Sequence, residues 1–188
     1  MNTRTLARIL TNVLNPFVIF TVLFAALSFS EVRFLTGLGY VFLELLAAAF
    51  VAGYVFLMRR KKRVGEFWIP TRSERIVPAI FLLSSFAGLL VALFAFGAPD
   101  ALFFLTLSMG LASGTVALMT FFWKASAHSA VAGHAAMAGT LLFGVLGAVF
   151  VLVLPVVIWA RTRPGAHTIS QTLVGAFVGG VFAFLFLG

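Results

Sequence analysis

The stretch that decides the fold is KASAHSAVAGHAAMAGTLLFGVLGAVFVLVLPVVIWAR, residues 124–161, because its interpretation sets the number of transmembrane helices. It forms either one loop and one span, or two short helices, Ser126 to Leu142 and Leu146 to Ala160, that fold back on each other. Each short helix would have about 16 residues and a length of roughly 24 Å. That length is short for a hydrocarbon core of about 30 Å.

The whole chain has the composition of an integral membrane protein. Hydrophobic residues make up 62% of its 188 residues, charged residues make up 10%, and the mean hydropathy is +1.15. Soluble domains are about half apolar and about a quarter charged. Apolar runs long enough to span a bilayer recur along the chain. We therefore expect one all-helical, polytopic transmembrane domain, residues 1–188, in the cell membrane.

The central stretch lies among five further apolar segments, so the two interpretations give six or seven spans. These five helices are expected at about Ile9 to Phe29, Leu38 to Met58, Val77 to Phe96, Ala101 to Trp123 and Thr168 to Leu187.

The distribution of basic residues favours seven helices over six. With seven, only Arg33 of the 13 Lys and Arg residues lies opposite the face that holds the N-terminus. With six, Arg161 and Arg163 would be separated from the other basic clusters. Because cytoplasmic loops are rich in Lys and Arg, the basic face is expected to be cytoplasmic.

Charge also excludes two classes of partner. The net charge of +8 comes from residues between the spans, where membrane proteins carry cytoplasmic anchors, so it does not indicate nucleic-acid binding. Proteins hold Mg²⁺ with carboxylates, and here no two acidic residues lie within one helical turn. We therefore expect no metal and no cofactor. The acidic residues are Glu31, Glu44, Glu66, Glu74 and Asp100.

Three polar clusters converge on the basic face in the seven-helix arrangement. Arginine offers forked donors that match phosphate oxygens, lysine adds a point charge, and helix N-termini attract anions. Basic side chains, helix starts and two histidines on one face therefore predict a phosphate pocket. The clusters are IPTRSERIVP with Arg72 and Arg75; KASAH with Lys124, Ser126 and His128; and ARTRPGAHTISQ with Arg161, His167 and Gln171.

These clusters resemble the three motifs of the type 2 phosphatidic acid phosphatase superfamily, which contains membrane lipid phosphatases. Its motifs are K-x6-R-P, P-S-G-H and S-R-x5-H-x3-D. The resemblance covers residues 72–180: RSER is a degenerate first motif, ASAH resembles the second at Ser126 and His128 with alanines in place of its proline and glycine, and Arg161, His167 and Gln171 keep the spacing of the third. Gln171 replaces the aspartate. An alternative alignment places the second motif on VAGH, with His134 as its histidine.

The resemblance implies a metal-independent phosphatase that acts on a lipid phosphate, such as phosphatidate, phosphatidylglycerophosphate or a polyprenyl (di)phosphate. His167 would attack phosphorus and form a phosphohistidine, and His128 would act as general acid and then general base. Gln171 would orient His167 through its amide oxygen. The phosphate-binding residues would be Arg72, Arg75, Lys124, Ser126 and Arg161.

Two other functions remain open: a non-catalytic phosphatase-like membrane protein, which Gln171 favours, and a transporter of an anionic lipid or solute. Glu44 supports the transporter, because a carboxyl within a membrane helix is costly and often functional. The run RRKKR, residues 59–63, and Arg163 are interpreted as membrane anchors. The small residues around His134 are expected to allow close helix packing.

Overall fold

The structure is a computed structural model that describes residues 2–60 and 76–188. All regular elements in these two ranges are helical, which confirms the predicted all-helical bundle. The α-helices are α1 Thr3–Val13, α2 Pro16–Glu31, α3 Phe34–Arg60, α4 Ile76–Ala95, α5 Asp100–Met119, α6 Ala127–Phe143, α7 Ala148–Thr162 and α8 Ile169–Leu187.

The bundle is a polytopic membrane domain. Within the described ranges, five helical segments are long and apolar enough to cross a bilayer, and a sixth is added if the bent pair α1 and α2 counts as one span. One of the five, Ala127–Thr162, contains both α6 and α7.

The first predicted helix, Ile9 to Phe29, is wrong as a single element. The chain bends by 44° between α1 and α2. Asn15 caps α2, its side chain accepting a hydrogen bond from the Val18 N–H at 3.0 Å, and Pro16 follows at the first helical position. Asparagine before proline is a strong helix start, and proline disfavours continuation of a preceding helix, because it lacks the N–H and its ring clashes with the preceding turn.

The central stretch forms two short helices, as predicted. α6 ends at Phe143, a 3₁₀ turn spans Gly144–Gly147, and α7 follows directly. Gly144 has φ of 57°, a conformation that glycine adopts without strain. The helices then pack against each other, and a Cβ on Gly147 would overlap the carbonyl oxygen of Gly139.

A close backbone contact joins α6 to α8, in line with the close helix packing that the small residues predicted. A Cβ added to Gly133 would overlap the backbone of Ala176, and one added to Gly179 would overlap the Ala130 carbonyl oxygen. Small residues let helix backbones approach closely within membranes. Gly175 likewise lies against the carbonyl oxygen of Ser126. This contact brings the N-terminal ends of α6 and α8 to the same place.

Candidate active site

A pocket of about 260 Å³ lies between α2, α3, α4, α5 and α6, and among the described residues three basic side chains line it, where α6 begins and α7 ends. These three, His128, Arg161 and His167, are called the polar end below. The rest of the pocket is mainly apolar, and its walls include Phe20, Val51, Leu82, Phe86, Leu89, Met109 and Val116. The pocket therefore has the form expected for an amphipathic ligand.

The start of α6 positions His128. Ser126 caps this helix, its hydroxyl accepting hydrogen bonds from the N–H of Ser129 at 3.3 Å and from the Ser129 hydroxyl at 3.1 Å. The N–H of Ser126 donates to the carbonyl oxygen of Gln171 at 3.1 Å, which ties α6 to α8. His128 follows in the first turn and is 6% exposed, with its side chain at the pocket wall.

A tight loop between α7 and α8 positions His167. Gly165, with φ of 77°, turns the chain, and the N–H of His167 donates to the carbonyl oxygen of Arg161 at 3.2 Å. Lys124 stabilises the loop, because its Nζ donates to the Ala166 carbonyl oxygen at 3.1 Å. His167 is 7% exposed, so its ring is held inside the protein at the pocket wall.

Arg161 supplies a permanent positive charge to the polar end. It lies in the last turn of α7, is 8% exposed, and lines the pocket together with both histidines. A guanidinium stays protonated in proteins and offers five N–H donors. Two imidazoles and one buried guanidinium can together bind a phosphoryl group, attack it and transfer a proton.

The neighbouring Arg163 behaves differently, as the sequence predicted for an anchor. It is exposed and donates to the hydroxyl of Thr3 on α1, with its Nε at 3.3 Å and its Nη2 at 3.1 Å. It does not line the pocket. The two arginines at the end of α7 therefore separate into one pocket residue, Arg161, and one surface residue, Arg163.

Lys124 and Ser126 lie beside the pocket and do not line it. Lys124 is half-buried and contacts the backbone next to His167. Ser126 is fully buried; its N–H donates to the Gln171 carbonyl oxygen, and its hydroxyl oxygen caps α6. The structure thus gives Ser126 a capping role where the sequence predicted a phosphate contact, because the helix start needs its oxygen.

Gln171 also has a capping role that the sequence interpretation missed. Its Oε1 accepts the N–H of Thr168 at 3.1 Å, while the Thr168 hydroxyl accepts the N–H of Gln171 at 3.3 Å. This capping box leaves the amide oxygen bonded to the backbone, whereas the sequence predicted that it would orient His167. The signal was present, because Thr168 followed three residues later by Gln171 fits the S/T-x-x-E/Q pattern.

His134 lies away from the pocket, in the contact between α6 and α5. It is fully buried, and its Nε2 lies 2.8 Å from the Ser108 hydroxyl, which itself donates to the Leu105 carbonyl oxygen. The Nε2 of His134 is therefore the donor to Ser108. This position favours His128 over His134 as the histidine of the second motif.

Two predicted residues, Arg72 and Arg75, lie outside the described residues, as does most of the run at 59–63. Across the two described ranges, no three His, Asp or Glu side chains lie together as metal ligands would. Glu44 lines the pocket away from the polar end and is hydrogen-bonded to Thr21.

Comparison with known proteins places no family on this fold and site: no protein-family model, curated protein or solved structure matches the chain. The class is therefore defined by structure alone, as a helical membrane protein with two histidines and an arginine at one end of an apolar pocket.

Proposed function

We propose that the protein is an integral-membrane, metal-independent lipid phosphatase. One observation carries the proposal: His128, Arg161 and His167, from three separate helices and loops, line the same end of a pocket that is otherwise apolar. A phosphate group fits the charge of that end, and a hydrocarbon chain fits the remaining walls. The resemblance of ASAH and RTRPGAHTISQ to phosphatase motifs supports the same chemistry.

The reaction has two steps. A ring nitrogen of His167 attacks phosphorus, the bond from phosphorus to the lipid oxygen breaks, and protonated His128 gives its proton to that oxygen. The lipid alcohol leaves, and a phosphohistidine remains. Neutral His128 then takes a proton from water, the water oxygen attacks phosphorus, and the bond to His167 breaks to release inorganic phosphate.

Arg161 stabilises the charge that spreads over the phosphoryl oxygens during both steps. It is placed for this by burial, because interactions between charges are stronger away from bulk water. Lys124 supports the loop of His167 and adds positive charge nearby. Candidate substrates are phosphatidate, phosphatidylglycerophosphate and polyprenyl phosphates or diphosphates.

A phosphate-release screen across these lipids, with the purified protein in detergent and EDTA present, tests the proposal. We expect release from at least one lipid, no dependence on added Mg²⁺, and inhibition by vanadate, whose trigonal-bipyramidal form resembles phosphorus under attack. Release that requires Mg²⁺, or release by a His167→Ala variant at the wild-type rate, would reject the proposed site.

A non-catalytic lipid-phosphate-binding protein is the second candidate, and the position of Gln171 favours it. The residue lacks a carboxylate, and its amide oxygen is occupied by the helix cap. A bound lipid phosphate with no release of phosphate from any lipid in the screen would support this candidate.

The membrane orientation belongs to the same proposal. The basic face would be cytoplasmic, which puts the polar end of the pocket near the inner leaflet of the cell membrane. With seven crossings, a reporter fused after Gly188 is expected outside the cell. A cytoplasmic reporter at that position would contradict either the orientation or the number of crossings.

A further inference from the structure

Within the described ranges, one acidic side chain lies on the wall of the pocket. Glu44, in the middle of α3, is 3% exposed and faces the pocket among apolar side chains. Both of its carboxyl oxygens lie 2.9 Å from the hydroxyl oxygen of Thr21 on α2. A carboxyl group inside a membrane-spanning helix is energetically costly and marks a functional site by default. The phosphatase chemistry at the polar end makes no use of it.

The position of Glu44 fits contact with the hydrophobic part of a ligand. The α3 wall of the pocket extends from Val55 to Glu44, which are separated by about 16 Å of helix at about 1.5 Å per residue. Val55 is nearer the end of α3 at Arg60, on the basic face. A lipid bound with its phosphate at His167 would therefore direct its chain along this wall toward Glu44.

The carboxyl group has more hydrogen-bonding capacity than Thr21 can use. One hydroxyl hydrogen serves one carboxyl oxygen at a time, whereas a carboxylate can accept about four hydrogen bonds. The hydroxyl of Ser85, also on the pocket wall, donates to the Ala47 carbonyl oxygen at 2.7 Å. A bound chain that excludes water therefore has to supply a polar partner or leave Glu44 with unsatisfied acceptors.

We propose that Glu44 determines substrate specificity by selecting a lipid phosphate whose hydrophobic part carries a hydroxyl group. A hydroxyl both donates and accepts, so it can pair with a carboxyl group in either protonation state. A plain hydrocarbon chain would leave the buried carboxyl unpaired, and sites built around a buried polar group discriminate strongly against ligands that lack its partner. This proposal rests on the proposed function for the direction in which the lipid lies.

Binding of long-chain alkyl phosphonates to the detergent-solubilised protein tests the role of Glu44 without turnover, because the carbon–phosphorus bond is not hydrolysed. The probes are an unsubstituted chain and a series with one hydroxyl at successive positions. We expect at least one hydroxylated isomer to bind about tenfold more tightly than the plain chain. Equal affinity for the plain chain and every isomer would overturn the proposal, and this measurement needs only the wild-type protein.

Three variants assign the preference to a residue. Glu44→Leu is expected to bind the preferred isomer and the plain chain equally, and Glu44→Gln to keep part of the preference, because its amide still forms hydrogen bonds. Ser85→Ala is the matched control, a hydroxyl on the same wall that is already bonded to the backbone, and it is expected to keep the full preference. A preference that survives in Glu44→Leu would overturn the assignment.

Phosphate release, measured separately on lipid phosphates, keeps the two proposals distinguishable. A hydroxyl preference among phosphonates without release from any lipid phosphate would reject the phosphatase and leave the role of Glu44 intact. Release of phosphate with no hydroxyl preference would reject the role of Glu44 and leave the phosphatase intact.

Discussion

The contact between α6 and α8 and the contact between α3 and α4 are built in opposite ways. α6 and α8 touch through their backbones, where Gly133 and Gly179 leave no room for a Cβ. α3 and α4 touch through large side chains, as in the stacked rings of Tyr54 and Phe81 at 3.8 Å. Both pairs also present apolar side chains to the exterior, among them Phe42 on α3, Phe94 on α4 and Phe177 on α8, which are 60%, 81% and 71% exposed.

The two kinds of helix contact have different expected consequences for the pocket. Backbone contact fixes the starts of α6 and α8, and with them His128 and His167, with the accuracy that the proposed phosphoryl transfer would need. Side-chain contact leaves a wall of aromatic and aliphatic groups that can adapt to a lipid chain. Substitutions at the α6–α8 contact should therefore lower the rate of phosphate release strongly, whereas substitutions on α3 and α4 should change that rate weakly.

The largest effect is expected from His167→Ala, because the proposed nucleophile is removed and no covalent intermediate can form. We expect phosphate release to fall by at least about 10³-fold. Arg163→Ala is the matched control, two residues from Arg161 but exposed, and should release phosphate at close to the wild-type rate. Equal losses of phosphate release in both variants would contradict the assignment of His167 to the pocket and of Arg163 to a surface anchor.

The next effect separates the two buried histidines of α6. His128→Ala is expected to lower phosphate release by about 10²- to 10⁴-fold, which is typical for loss of a general acid. His134→Ala leaves the pocket intact but removes the hydrogen bond to Ser108, so it should lower the melting temperature more than the rate of the folded protein. If His134→Ala lost activity as severely while keeping its melting temperature, the alternative alignment on VAGH would be correct.

A pair of glycine substitutions compares the α6–α8 contact with an open position on α4. Gly179→Ala places a methyl group against the Ala130 carbonyl oxygen, and should destabilise the protein by about 1–3 kcal/mol as an overpacked contact does. Gly88→Ala on α4 meets nothing within 4 Å and should be neutral or slightly stabilising, because alanine favours helix. Thermal unfolding in detergent measures the stability of both variants. Similar melting temperatures for the two would contradict the expected difference between the α6–α8 contact and the open position on α4.

The smallest effect concerns the cap of α8. Gln171→Ala removes the side-chain acceptor of the capping box and should cost about 0.5–2 kcal/mol of stability, with a loss of activity of a few-fold as the His167 loop loosens. Gln171→Glu should retain both, since glutamate accepts the same hydrogen bond at this position. Activity lost in Gln171→Glu but kept in Gln171→Ala would show that the residue acts on His167 by another route.

Much of this architecture was predictable because the chain is strongly patterned. Long apolar runs predicted the helices, and the distribution of basic residues favoured the reversal within residues 124–161 that separates α6 from α7. The break at Asn15 and Pro16 was missed because the apolar run after it dominates the pattern, although Asn-Pro is itself a helix-start signal.

The site was predictable in its residues and less so in their roles. The polar clusters on the basic face and their resemblance to phosphatase motifs singled out His128, Arg161 and His167, and the structure brings these three residues to one pocket. Ser126 and Gln171 were interpreted by their place in the motifs, yet both side chains bond to the backbone at helix starts. The pocket itself was not predictable, because the side chains from α2 to α5 that enclose it meet only when the helices pack.

Detection of the covalent intermediate tests the central claim most directly. The protein is incubated briefly with a lipid phosphate labelled in its phosphate group, quenched in alkali, where phosphohistidine survives, and mapped by mass spectrometry. We expect a phosphoryl group on His167 of the wild-type protein and none in the His167→Ala variant. Phosphate release by the wild-type protein with no phosphorylated residue, or with the phosphoryl group on a residue other than His167, would contradict it.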